Sequence, residues 1–440
     1  MIKVDEYLPT GEAAAEARKL ALAPTVASMA GSRILEAASE AKDLKAKGIE
    51  ICDLTVGDYA PLQFRAPESF LKDVVKEIEA GHNQYPPSDG MPELQKAIQG
   101  FYKRELGIEF PDKTVVVCGG ARPPIYAIFR CLVSEGDRVV FFTPSWNNDY
   151  YVSLCGGDLV PIATKAENNF FPTAVEVQMK IADPKVRLVC LCSPLNPCGT
   201  VIDKDVLKEI CEVILAENIF RLSNGAPPVH LMFDMVYWPL TFGETEFHHP
   251  IELVPEIARW TIYVDAISKW MVSTGLRLGW AVVPPHLYAP IRDFMGHVGG
   301  WGPRPVQVAT ARFLNSETEF AEFRDDLRGL LYGRLSFVQN AFRQMRGAGL
   351  PVKSTVPQGA IYISVQFDVI GKTTPKGKLL ETNRDIRQYL LHEARVALVA
   401  FQAFYMWEET GWFRISVGAV GAEELQQGLI RIRDAIASLV

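Results

Sequence analysis

The 440-residue chain contains no run near the roughly 18 uncharged apolar residues that a membrane-crossing helix requires, so no membrane partner is expected. It also lacks a basic tract. Its 45 Lys and Arg stand against 52 Asp and Glu, a formal net charge of −7, and no cluster of cations is present to neutralise phosphates, so no nucleic-acid partner is expected. The first residues, MIKVDEYLPTGEAAAEARK, are charged and lack the apolar core of a secretion signal. No CxxC or HExxH pattern occurs, which removes the usual spacings of a zinc site, and no metal is expected. No internal repeat or long low-complexity tract is visible. The eight cysteines lie mostly inside apolar runs, a setting for reduced, buried thiols, and the expected location is cytoplasmic.

What is present is a globular composition, 48% hydrophobic and 22% charged, in a chain too long for one ordinary core. The N-terminal region reads as short helices, AAAEARKLAL and SRILEAASEAKDLKAKG, followed by a strand in ICDLTVGDYAP. From Thr114 the pattern becomes alternating strand and helix. TVVVC, DRVVFFT, VRLVCLC, VHLMFD and WTIYVD are near-continuous apolar runs, as expected of a mostly parallel sheet covered on both faces. A long helical tract from Glu319 to Met345 leads to STVPQGAIYISVQF, VALVAFQAFYM and WFRISVGAV, read as strands of a second, smaller α/β unit. The expected division is an arm plus part of the small domain over 1–80, a large domain over 81–315 and a C-terminal small domain over 316–440.

The chemistry collects at strand ends, where open α/β sheets place their sites. VDAISKWMVSTGLRLGWAVV reads strand, loop, strand, with Lys269 just past the first strand and Arg277 eight residues on. On its own, such a lysine is as often a solvated surface group. Asp234 ends another apolar run and is followed by Tyr237, which alone would read as a turn cap and a core tyrosine. Asn196 lies in SPLNPCGT, by itself an ordinary Asn-Pro turn. Gly119-Gly120-Ala121-Arg122 joins a strand to a helix, where free backbone N–H groups suit an anion. Arg414 sits in the apolar strand GWFRISVG, where an unpaired charge is costly, so it calls for a carboxylate partner.

In this order, from about Leu54 onward, the motifs resemble those of the fold-type I pyridoxal-phosphate enzymes, within the class I and II aminotransferases. The resemblance implies a large domain with a mostly parallel seven-stranded sheet, a smaller α/β C-terminal domain and pyridoxal 5′-phosphate as cofactor. It assigns Lys269 the Schiff base and the proton shuttle, Asp234 the pyridine nitrogen, and Tyr237 and Asn196 the ring hydroxyl. Gly120, Ala121, Arg122, Ser268 and Arg277 then hold the phosphate, joined across a homodimer interface by Tyr85. Trp146 stacks on the ring, while Arg414, Asn196 and the backbone at Gly57 hold the substrate. The implied reaction moves an amino group from an L-amino acid to a 2-oxo acid by ping-pong transamination. The same scaffold also supports lyases, decarboxylases and cyclising enzymes, and a non-catalytic ligand-binding protein is a further alternative.

The chain departs from the family pattern at several positions. Ala266 replaces a serine, Ser193 an asparagine and Cys198 a threonine, and Pro123-Pro124 remove two amide donors behind Arg122. For the substrate side chain, Arg304 is a candidate second carboxylate reader, set against an apolar or aromatic wall built from Trp301, Tyr59, Phe404 and Tyr405.

Overall fold

A computed structural model describes all residues except 1, 2, 28 and 30. Seven strands form the main sheet: β2 (Val115–Cys118), β3 (Arg138–Thr143), β4 (Asp158–Ala163), β5 (Val186–Cys192), β6 (His230–Asp234), β7 (Thr261–Ala266) and β8 (Gly279–Val282). Their order is β2-β8-β7-β6-β5-β3-β4. The run from β4 to β7 is parallel, whereas β8 is antiparallel to both β7 and β2.

Alternation within each strand divides the core. Leu188 and Cys190 of β5 pack on one side of the sheet with Met232 of β6, while Val189 and Leu191 pack on the other with Leu231 and Phe233. Both faces are therefore covered, which is why these strands are apolar without interruption. Local signals set the helix ends. The helix Pro92–Leu106 starts on a proline, whose missing N–H costs nothing there, and stops at left-handed Gly107.

The smaller unit is reached through the helix Glu317–Gly347. It contains β9 (Val352–Ser354), β10 (Tyr362–Phe367), β12 (Val399–Ala400) and β13 (Trp412–Ser416) in an antiparallel sheet of order β12-β13-β10-β9. A separate two-stranded ladder joins β1 (Cys52–Asp53) in parallel to β11 (Val396–Ala397), so the segment leaving the N-terminal helices packs with the C-terminal unit.

Two strand expectations shorten. ICDLTVGDYAP contributes only Cys52–Asp53, and VALVAFQAFYM gives two two-residue strands followed by a 3-10 turn over Phe401–Phe404. In a 3-10 turn residues three apart lie on one side. That brings Phe401 and Phe404 together, ring centres 6.2 Å apart, and sets Phe401 against Phe170 and Trp412. A strand would have sent these two phenylalanines to opposite faces.

Candidate active site

The carboxyl ends of β5, β6 and β7 open onto a cavity of about 580 Å³ that the small domain closes from the other side. Asp234 is the last residue of β6, Asn196 lies four residues past β5, and Lys269 lies three past β7. Arg414 and Tyr362 enter from β13 and β10.

Lys269 is half-buried, and its Nζ donates to the Gly57 carbonyl at 2.5 Å. The Lys269 carbonyl in turn accepts from Tyr59 Oη at 2.8 Å, so the turn that carries the amine is tied to the segment just past β1. A side chain on Gly57 would collide with the Tyr362 hydroxyl, which accounts for glycine at this close approach.

Asp234 lines the cavity and is partly buried. Burial pushes its carboxyl up to about 6, opposed by the Val236 amide, which donates to Oδ1 at 3.2 Å, and by the Lys269 charge. Tyr237 is buried, its hydroxyl 3.1 Å from that of Tyr362. Burial, then the neighbouring Tyr362, push its phenol well above the usual value, so it remains protonated and available as a donor.

Arg414 is 2% exposed. Its Nη1 donates to Asn196 Oδ1 at 3.0 Å and its Nη2 to the Thr55 carbonyl at 2.5 Å, while the guanidinium lies 4.5 Å from the Tyr362 ring centre and 5.0 Å from that of Phe404. Nε is buried with no protein partner. Burial lowers the Arg414 pKa, yet a guanidinium stays protonated. A buried cation with neutral partners and an unsatisfied donor is a receptor for an anion. Because a guanidinium only donates, the oxygen of Asn196 must face it, leaving the amide NH₂ for another acceptor.

A second anion-binding corner lies at the other end. Gly120 has φ +100°, and a Cβ there would stand 2.6 Å from Arg277 Nη2. The Gly119 and Gly120 amides bond to the carbonyls of Gly300 and Cys118, both at 2.8 Å. The helix Arg122–Leu132 therefore offers the amides of Ala121 and Arg122, because Pro123 and Pro124 follow at once. Arg277 is itself left-handed at φ 55° and is held by the Thr274 carbonyl (2.6 Å) and the Gly119 carbonyl (3.3 Å). Ser268 lines the same cavity. Arg122 is exposed and lies over the Trp146 ring, 4.8 Å from its centre.

These groups fit pyridoxal phosphate in kind. An amine, a buried carboxyl, two ring-hydroxyl donors, an aromatic wall and a cationic corner with free amides surround one cavity. The unpartnered Arg414 Nε leaves a carboxylate site beside it.

The structure brings together Lys269, Asp234, Tyr237, Asn196, Ala121, Arg122, Trp146, Ser268, Arg277, Gly57 and Arg414 around that cavity, with Gly120 directly against Arg277. Tyr85 does not join them within one chain. It is 83% exposed and packs edge-on against Trp301, ring centres 5.1 Å apart. Arg304 belongs with that region, donating to Gln84 Oε1 at 3.3 Å, so neither Arg304 nor Trp301 lines the cavity of its own chain. Tyr405 packs on Phe141 and Trp407 and not on a substrate wall, while Phe404 does face Arg414. No sequence signal marks Tyr362 or Thr55; Tyr362 carries no motif beyond an apolar strand. Among the described residues, no group of three or more acidic, His or Cys side chains is placed to hold a metal.

Comparison with known proteins follows the same line. A family model described as aminotransferase class I and II matches residues 49–432. A probable aspartate/prephenate aminotransferase of Rhizobium leguminosarum bv. phaseoli is 30% identical over 414 residues, covering 94% of this chain and 98% of that one. The aspartate aminotransferase of Geobacillus stearothermophilus is 29% identical over 387 residues, covering 87% and 91%. Among solved structures, the aspartate aminotransferase from Rhizobium meliloti superposes with a TM-score of 0.86 at 29% identity, covering 95% of this chain and 99% of that one.

Proposed function

The chain belongs to the class I and II aminotransferases, fold-type I pyridoxal-phosphate-dependent enzymes, and from that membership we propose that it moves the amino group of an L-amino acid to a 2-oxo acid by ping-pong transamination. The observation that carries the reading is the single cavity with Lys269 and Asp234 at strand ends and the buried, anion-seeking Arg414 opposite.

Bound pyridoxal phosphate supplies an aldehyde that exchanges amines and a protonated ring that takes up the electron pair left on the substrate α-carbon. The chain's residues do the rest. Arg277, Ser268 and the Ala121 and Arg122 amides hold the phosphate. Asp234 would keep the ring nitrogen protonated, and Trp146 would supply an aromatic wall beside the ring. Tyr237 Oη and Asn196 Nδ2 donate to the ring hydroxyl. Arg414 grips the substrate α-carboxylate and so fixes which α-substituent faces Lys269, with Gly57 closing that side. Lys269 Nζ would link the cofactor at rest and, once substrate displaces it, would take the proton from the substrate α-carbon and carry it across the imine nitrogen to the former aldehyde carbon, two bonds away.

Tyr85 is assigned to the phosphate of a partner subunit, which makes the working form a homodimer with shared sites. Its exposure and its absence from the lining of its own cavity support this. The eight cysteines are free thiols, in keeping with a cytoplasmic location. The relatives' names put aspartate first among donors to test, with prephenate beside it in one of them, and the family resemblance adds 2-oxoglutarate as acceptor.

The test is a panel of amino donors and oxo acids with the cofactor-loaded protein. A single half-reaction without acceptor should release one equivalent of oxo acid per site. Continuous release of pyruvate and ammonia would instead indicate an eliminating enzyme.

A further inference from the structure

Asp265, the penultimate residue of β7, is fully buried and has no part in the chemistry above. Its carboxylate is saturated with donors. Oδ2 accepts from Tyr102 Oη and Trp238 Nε1, both at 2.9 Å, and Oδ1 from the Ala266 amide at 2.7 Å and Trp270 Nε1 at 3.2 Å. Tyr102 Oη accepts in turn from Trp280 Nε1 at 2.7 Å. Both indoles that reach Asp265 also pack on Phe101, with ring centres 5.5 Å away for Trp238 and 5.7 Å for Trp270.

The placement of these two tryptophans matters. Trp238 directly follows Tyr237, and Trp270 directly follows Lys269. One carboxylate thus grips the neighbour of each of two cavity side chains, on two different turns. Apolar residues would fill this space without the desolvation cost of a buried charge. What a fully satisfied polar cluster adds is a single arrangement of its members.

We propose that Asp265 is a positioning residue whose carboxylate, by holding the Trp238 and Trp270 indoles, sets the angle at which Tyr237 and Lys269 enter the cavity. This rests on the roles given to those two residues above. Asp265 touches neither substrate nor cofactor and acts through the turns it clamps.

The test uses Asp265→Asn, whose NH₂ must face donors that the carboxylate accepted, and Trp270→Phe, which removes one indole N–H and keeps an aromatic ring beside Phe101. Trp260→Phe, a buried tryptophan at the opposite end of β7, controls for lost packing. Thermal unfolding establishes that each variant is folded, and Trp270→Phe carries the test if Asp265→Asn is not. The readouts are visible circular dichroism per mole of bound cofactor and the kinetic isotope effect on kcat with an α-deuterated amino acid. A mere loss of folded protein changes neither.

Asp265→Asn and Trp270→Phe should alter the cofactor's dichroism, lower kcat by about tenfold, raise the isotope effect and leave KM within about twofold. A tenfold change corresponds to about 1.4 kcal/mol in the barrier. Trp260→Phe should match wild type in all four. Folded variants with wild-type dichroism and isotope effect would overturn the proposal alone. A wild-type protein that binds no cofactor would overturn the underlying reading and this proposal with it.

Discussion

Asn196 and Arg414, 218 residues apart, meet through one hydrogen bond of 3.0 Å from the guanidinium to the amide oxygen. Asn196 follows a strand of the large sheet and Arg414 lies in the small one. The bond therefore spans the cleft, sets the orientation of the amide and helps hold a charge that burial alone would expel.

That geometry predicts a large effect on substrate binding. Two charge-assisted bonds to a carboxylate are worth roughly 1.5–3 kcal/mol each. Arg414→Ala should raise KM for the amino acid at least about a hundredfold, and Arg414→Lys should fall between, because an ammonium cannot reproduce the fork. Steady-state kinetics on the preferred donor measures this. The cofactor's absorbance should survive in both variants.

Asp234 makes a pH prediction for the apoprotein. Its carboxyl rises from an ordinary 3.8 to about 6 on folding, chiefly through burial. Between those values the folded chain binds more protons than the unfolded one. The contribution to stability is therefore fully present below about 4 and is lost as pH rises through 6. Asp234→Asn cannot ionise. Its stability relative to wild-type apoprotein should grow between pH 4 and pH 7, by on the order of 3 kcal/mol. Urea unfolding at several pH values follows it, and a flat difference would show that Asp234 does not titrate in this window.

Gly120 predicts a loss of cofactor affinity. Its φ of +100° strains any other residue, and an added Cβ would stand 2.6 Å from Arg277 Nη2. Gly120→Ala should displace the guanidinium from the phosphate corner and weaken pyridoxal phosphate binding by about tenfold or more, since one pairing to a charged group is worth roughly 1.5–3 kcal/mol. Titration of apoprotein with the cofactor reads this directly.

The sheet and most of the site were legible because their signals are local. Continuous apolar runs announce strands buried on both faces, and Lys269, Asp234 and Asn196 each sit where such a run stops. The short strands near Cys52 and Val399 were not legible, because packing sets them. Phe401 turns inward onto Phe170 and Trp412 while Phe404 faces Arg414, and no periodicity announces that. Tyr362 is not legible for a related reason, since its role comes from facing Tyr237 and Arg414 across the cleft. Asp265 reads in sequence as one polar residue at a strand end. Its meaning appears only once Tyr102, Trp238 and Trp270 close around it.

Tyr85 tests the proposed assembly. The side chain is 83% exposed in one chain, and its proposed place is the partner's phosphate. Light scattering should give twice the mass of one chain, and Tyr85→Phe should weaken cofactor retention by about tenfold with the dimer intact, as one charge-assisted hydrogen bond is lost. A fully active monomer would contradict the shared site.

Lys269 is the proposed point of cofactor attachment. Protein loaded with pyridoxal phosphate, reduced with borohydride and digested should yield one labelled peptide, modified at Lys269, and Lys269→Ala should yield none. Label on a different lysine, or an unlabelled Lys269 in a protein that still transaminates, would rule out Lys269 as the point of attachment.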